Sequence, residues 1–463
     1  MRKLPALLVL VVVIGFIQAF VSLALIEDPA GMMAVPVAGL ALIICIGAAQ
    51  RMGTTPEAKR WLVRLVLVGF GLRLLVGTTL LASGTAVFFG GDFFTFHQIG
   101  NALSHSWATG TPLDAAINAR YLPETTAHSH GSRTGFYYFV GALYFAFGSS
   151  LYITATVICM FGAIACLLVY AIARDLFSET VGRRAATLTC YFPSIVLWTC
   201  QGYKDGLIIF SLLLAYRCTQ KLQSRLTFGD FFGLALSLWA IYQIRGYIFY
   251  VAIGPILLAL TGRNSGDKKA FYNQLFGIVI LGIGIVASGL GNNLLNQLQE
   301  VNLKEVSTFR SAGAQKADSS IEKDADVSTP ASALAYLPTG VSYFLFAPFP
   351  WQMAKFSQAI TLPEMIVWWS LFPSLWRGIR YALRERLGES SGILIFLVTL
   401  TLVYGLAQGN VGTAYRVRAQ LLVFYFMFAS AGLKERHLLT RFLPKAPEPA
   451  PSAPPPTALP QRA

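Results

Sequence analysis

Long apolar runs separated by short basic clusters constrain this chain more than any other feature. Leu151 to Ala173 and Phe271 to Leu290 each reach the roughly 20 apolar residues a helix needs to cross the hydrocarbon core. Similar runs recur along nearly the whole length, and only 13% of residues are charged, well below soluble usage. The net charge of +14 would suggest nucleic acid in a soluble protein. Here the cations cluster between apolar runs, as they do in the cytoplasmic loops of membrane proteins, so nucleic acid is excluded as a partner class. The six cysteines (Cys45, Cys159, Cys166, Cys190, Cys200 and Cys218) lie in or beside apolar runs. None has metal-ligand spacing, and they read as buried packing residues.

The basic clusters also set an orientation. Met1-Arg2-Lys3 before Leu4 to Ile26 reads as an uncleaved first span with a cytoplasmic start. Met32 to Gln50 and Trp61 to Gly84 are the second and third spans, and they deliver residues 85–133 to the outside. Phe136 to Phe147 is too short to cross. If it crossed, Arg174, Arg183 and Arg184 would fall outside, so it reads as a re-entrant or interfacial outer helix. Leu151 to Ala173, Ala185 to Thr199, Gly206 to Tyr216, Phe228 to Tyr242, Tyr247 to Leu260 and Phe271 to Leu290 then alternate across the bilayer.

Residues 292–338 are polar and carry both charge signs, which suggests a mobile outer loop. Val341 to Trp351, broken by two prolines, fits the outer interface, where aromatic side chains collect. Met365 to Trp376, Ile393 to Ala407 and Ala414 to Leu433 complete the set. The expectation is an all-α polytopic membrane protein of about 12 spans with outer juxtamembrane helices and both termini cytoplasmic. Residues 1–443 form the membrane domain, and 444–463 form a disordered Pro-rich tail. No internal repeat is visible, unlike many transporters.

Ionisable residues beside span ends are the candidates for chemistry. Asp92 follows an apolar run within Phe88-Phe89-Gly90-Gly91-Asp92 and reads either as a catalytic base or as a helix N-cap. Arg416 and Arg418 lie within the start of the last span, where they either snorkel to the interface or bind an anion. Lys204-Asp205 reads as an ion pair or cap, or as a second acidic position in the same cavity. His97, His130, Arg133 and Arg245 complete the outer set. His128-Ser129-His130 is a weak metal pattern and reads better as surface or substrate-contact histidines. Trp351, with Phe349 and Tyr343, fits an interfacial position better than sugar stacking. A lipid-linked sugar phosphate suits the whole arrangement. The prenyl tail takes the bilayer, arginines stabilise the leaving phosphate, and a carboxylate accepts the acceptor hydroxyl's proton.

The stretch Gly91-Asp92-Phe93-Phe94-Thr95-Phe96-His97-Gln98-Ile99-Gly100-Asn101-Ala102-Leu103 resembles the first external loop of GT-C superfamily membrane glycosyltransferases. The resemblance is to their polyprenol-phosphate-sugar-dependent, mannosyltransferase-like branch. It continues through Arg133-Thr134-Gly135-Phe136-Tyr137, Ala171 to Phe177 and Lys204-Asp205-Gly206-Leu207, with a looser echo at Tyr415-Arg416-Val417-Arg418. It covers mainly residues 60–260, and Gly91 stands where many relatives carry a second acidic residue.

The resemblance implies a GT-C-like fold and an inverting glycosyl transfer at the outer face of the plasma (bacterial inner) membrane. Donor and acceptor would be a polyprenyl-phosphate sugar and a glycan, lipid-linked glycan or protein. Asp92 would be the base and Asp205 the supporting acid, with His97, His130, Arg133, Lys204, Arg245, Arg416 and Arg418 as substrate contacts. No cofactor is called for, and a divalent cation stays open. The alternatives are an O-antigen-type polymerase or ligase dominated by Arg245 and Arg416, and a flippase for lipid-linked sugars.

Overall fold

The structure, a computed structural model, describes residues 29–114, 134–223, 225–261, 303–315, 319–352 and 360–434, with isolated positions near either end. His128, His130, Arg133, the span expected at Phe271 to Leu290, most of Leu4 to Ile26 and the expected Pro-rich tail lie outside the described residues. Those described are helical, with no strand among them beyond an isolated bridge between Ser320 and Asn410.

Among the described residues the long helices run from α1 (Ala34–Met52) and α2 (Pro56–Ala82) to α3 (Asp92–Thr109) and α4 (Gly135–Phe147). Next come α5 (Leu151–Leu176), α6 (Glu179–Tyr191), α7 (Pro193–Trp198), α8 (Lys204–Leu222), α9 (Phe228–Ile244) and α10 (Gly246–Thr261). After α11 (Leu303–Gln315) and α12 (Pro330–Phe346), the long helices α13 (Leu362–Glu385), α14 (Leu387–Ala407) and α15 (Val411–Ala431) close the described chain. Among the described residues, four stretches are long and apolar enough to cross a membrane: Pro29–Met52, Pro56–Ala82, Leu151–Leu176 and Leu387–Ala407. This is an all-α membrane protein.

Burial sorts the helices. α5 and α15 are buried along most of their length, α5 apolar on nearly every face and α15 polar mainly in its first half, so they form the hub of the bundle. α1 is equally apolar but leaves Leu40, Ile43 and Ile44 exposed, the pattern of a peripheral helix facing lipid. Close helix approach depends on glycine. A methyl at Gly378 of α13 would fall 1.8 Å from the Phe428 carbonyl of α15, so that crossing tolerates no side chain there.

Several expectations change in detail. The span expected at Ala185 to Thr199 is two helices that meet at Pro193, where the ring removes an amide donor. The first of them starts earlier, at Glu179, because the Ser178 hydroxyl accepts from the Val181 amide. The short apolar run at 136–147 is a 13-residue helix, α4, packed against α3. It is about 20 Å long at 1.5 Å per residue, shorter than the hydrocarbon core.

The polar segment expected to be mobile carries structure of its own. Arg310 of α11 is fully buried and donates to the carbonyls of Ala325, Ile321 and Glu322, while its guanidinium lies 4.3 Å from the Tyr336 ring centre. Ile321, Val327, Ala333 and Tyr336 pack a small core around it. In the same segment, hydrogen bonds from the Ser328 hydroxyl and amide and from the Ser307 hydroxyl hold the Asp326 carboxyl below its usual range. Val341 to Phe346, expected as an interfacial piece, is the second half of α12, which begins with the Thr329–Ser332 capping box.

Charge separates the two ends of the bundle. At one end, Arg174 bonds the Met52 carbonyl, and Arg174 and Arg217 both pair with Asp175. At the other end α3, α8 and α15 all begin, and their ionisable side chains converge.

A candidate functional site at three helix starts

Arg416 is the centre of this convergence. Its Nε donates to Asp205 Oδ2 at 2.7 Å, and its Nη1 donates to Asp92 Oδ2 at 2.8 Å. One guanidinium therefore bridges carboxylates from the first turns of α8 and α3. The ring of Tyr203 lies 4.3 Å from it and that of Trp198 lies 5.2 Å away, so aromatic faces box the cation. Tyr203 in turn donates its hydroxyl to the Gly90 carbonyl at 2.6 Å, which ties the turn before Asp92 to the start of α8. Gly90 has φ +126°, so one of the two glycines before Asp92 is needed for its backbone shape. Gly91 has φ −90° and is the N-cap of α3.

The two carboxylates differ in kind. Asp205 has no exposed side-chain surface, while Asp92 is 55% exposed. Asp205 Oδ1 accepts from Arg245 Nη2 and from Gln420 Nε2, each at 2.8 Å, in addition to Arg416 on Oδ2. The polar chain closes on itself. Arg245 Nη1 donates to Tyr247 OH at 3.2 Å, Tyr247 OH meets Tyr404 OH at 3.5 Å, and Tyr404 OH donates to Gln420 Oε1 at 2.7 Å. A buried anion held by two guanidiniums and an amide is fixed in place and charge-compensated. Asp205 is therefore built to position Arg416 and Arg245. Asp92 has the accessible oxygen.

Lys204 precedes Asp205 and lies within electrostatic reach of Asp205, Asp92, Arg245 and Arg416. Three cations thus face two carboxylates, and three helix N-termini add partial positive charge. Arg416 Nη2 is buried and makes no hydrogen bond among the described residues. The arrangement suits an anion.

The other candidates lie elsewhere. Arg418 was expected beside Arg416 as an anion contact. Successive helical residues turn by about 100°, so positions 416 and 418 face nearly opposite ways. Arg418 is fully buried, and its Nη1 donates to the carbonyls of Phe344, Leu345 and Ala347, gripping the end of α12. His97 joins helices: its Nδ1 pairs with Tyr144 OH of α4 at 2.8 Å, and Thr154 of α5 donates to the same hydroxyl. Asp92 is the first residue of α3, one position past the Gly91 N-cap, and among the described residues its carboxylate bonds Arg416 alone. Trp351 is exposed and stacks on Phe349, with ring centres 5.0 Å apart.

Sequence reasoning missed four parts of the site. Gln420 lies four residues beyond Arg416 and so shares its helix face, a signal that was available. Trp198, Tyr203 and Tyr404 look like ordinary core aromatics until the fold brings them to the cations. It also missed Arg73, which is fully buried in the middle of α2 and bonded to Thr199 Oγ1 and to the carbonyls of Gly69, Cys190 and Thr189. Among the described residues, no three His, Cys, Asp or Glu side chains gather as a metal site. The chain matches no known family model and no curated protein.

Proposed function

We propose that the protein is a membrane glycosyltransferase of GT-C type that moves a sugar from a polyprenyl-phosphate donor to a glycan, lipid-linked or protein acceptor at the outer face of the membrane. The observation that carries this reading is the Asp92–Arg416–Asp205–Arg245 cluster, in which one accessible carboxylate adjoins two buried guanidiniums held by a second, sealed carboxylate. The acceptor hydroxyl oxygen attacks the anomeric carbon and passes its proton to Asp92. The bond from that carbon to the phosphate oxygen breaks, and the phosphate leaves with the electron pair, stabilised by Arg416 and Lys204. Val87 and Phe88, both exposed two turns or less before Asp92, offer an apolar edge to the prenyl chain. In this reading the chain crosses the membrane about 12 times, with the basic end of the bundle cytoplasmic.

The test uses purified protein with a panel of polyprenyl-phosphate sugars. Donor binding by wild type and Asp92→Asn, with product from wild type alone, is the expected result. Full turnover by Asp92→Asn sinks the assignment. A polymerase or ligase reading draws support from the central place of Arg416. It expects loss to be total for Arg416→Ala and Arg245→Ala but partial for Asp92→Ala.

A further inference from the structure

The ion pair between Asp92 and Arg416 occupies the part of the guanidinium that an incoming phosphate needs. Guanidinium binds phosphate best through two parallel N–H donors. Arg416 Nε is committed to the fully buried Asp205, which Arg245 and Gln420 also hold, so that contact is rigid. The remaining fork is Nη1 with Nη2. Nη2 is buried and without a hydrogen-bond partner among the described residues, while Nη1 carries Asp92. Asp92 is the only one of the two carboxylates with an exposed side chain, and among the described residues it has no second hydrogen bond that would anchor it.

We propose that phosphate binding at Arg416 displaces Asp92, so that the carboxylate is released as an acceptor-facing base only when the donor is in place. This rests on the transferase reading and adds an ordering to it. Without donor, Asp92 is neutralised by Arg416 and is a poor base. With the donor phosphate across Nη1 and Nη2, Arg416 keeps its anchor on Asp205, and Asp92 is freed at the start of α3, next to the phosphate and the sugar it carries. No bond to carbon is made or broken in this step, since one ion pair exchanges for another. The exchange is feasible because an ion pair with an exposed carboxylate is weak, whereas a charge-assisted two-donor fork is strong.

The ordering has an unusual sign: removing the proposed base should tighten donor binding. An exposed pair worth up to about 1 kcal/mol corresponds to about fivefold in affinity. The probe is a C55 polyprenyl monophosphate titrated onto the full-length protein in nanodiscs, with inorganic phosphate run in parallel. Asp92→Asn and Asp92→Ala are expected to bind the lipid phosphate up to about fivefold more tightly than wild type. Arg416→Ala should lose binding, and the Asp92→Asn/Arg416→Ala double variant should show no gain over Arg416→Ala. Tightening for the lipid alone assigns a lipid headgroup, and the same tightening for inorganic phosphate assigns a free phosphate site; both support the exchange. Equal or weaker binding by both Asp92 variants, with Arg416→Ala still impaired, overturns the exchange and leaves the transferase reading intact. No binding of either probe by folded wild type overturns both.

Discussion

Asp205→Asn keeps the shape of the side chain at the buried centre of the site and removes its charge. The carboxylate accepts from Arg245 and Gln420 at 2.8 Å and from Arg416 at 2.7 Å. Neutralising one partner of a buried pair costs about 3–5 kcal/mol, because the charge left behind has neither water nor counterion. Two guanidiniums are left behind here, so a loss of at least about 3 kcal/mol is expected. Asp92→Asn removes the same formal charge from the same arginine, but at an exposed pair whose worth is about 0–1 kcal/mol. The contrast between the two substitutions therefore measures burial directly. All six cysteines are buried, so a thiol-reactive fluorophore reports unfolding on a thermal ramp in detergent. Asp205→Asn should react at clearly lower temperature than wild type, and Asp92→Asn should overlay wild type. Adding Arg245→Met to Asp205→Asn should recover part of the loss, with a coupling of at least about 1 kcal/mol in the double-mutant cycle. Unfolding of Asp205→Asn together with wild type, or equal losses at both positions, would refute the reasoning.

Gly90→Ala places a side chain at φ +126° and should cost about 1–3 kcal/mol, whereas Gly91→Ala should cost about 1 kcal/mol or less on the same ramp. Arg418→Ala strips the donor from three carbonyls at the end of α12 and should lower stability by about 1–3 kcal/mol or more. In its folded fraction, polyprenyl-phosphate binding should stay within about twofold of wild type, since Arg418 lies outside the cluster. A selective loss of binding with unchanged stability would restore Arg418 as a ligand contact.

The sequence by itself determined the solvent in which this chain folds. Apolar runs near the length of a bilayer crossing leave only helices as a way to satisfy the backbone, and the observed elements are helices at nearly the expected places. It also singled out Asp92, Asp205, Arg245 and Arg416, because ionisable groups beside apolar runs are costly and stand out against a greasy background. What it could not supply was their division of labour. Asp92 and Arg416 are 324 positions apart, and nothing local states that one guanidinium joins the two carboxylates. Nor does local sequence distinguish the sealed Asp205 from the accessible Asp92, since burial depends on which helices pack around each one. Arg418 shows the reverse limit. Helical periodicity alone separates it from Arg416, but only the end of α12, brought in by the fold, reveals the carbonyls it grips. Pairing over such distances is decided by helix packing, and packing is a property of the assembled bundle rather than of any stretch within it.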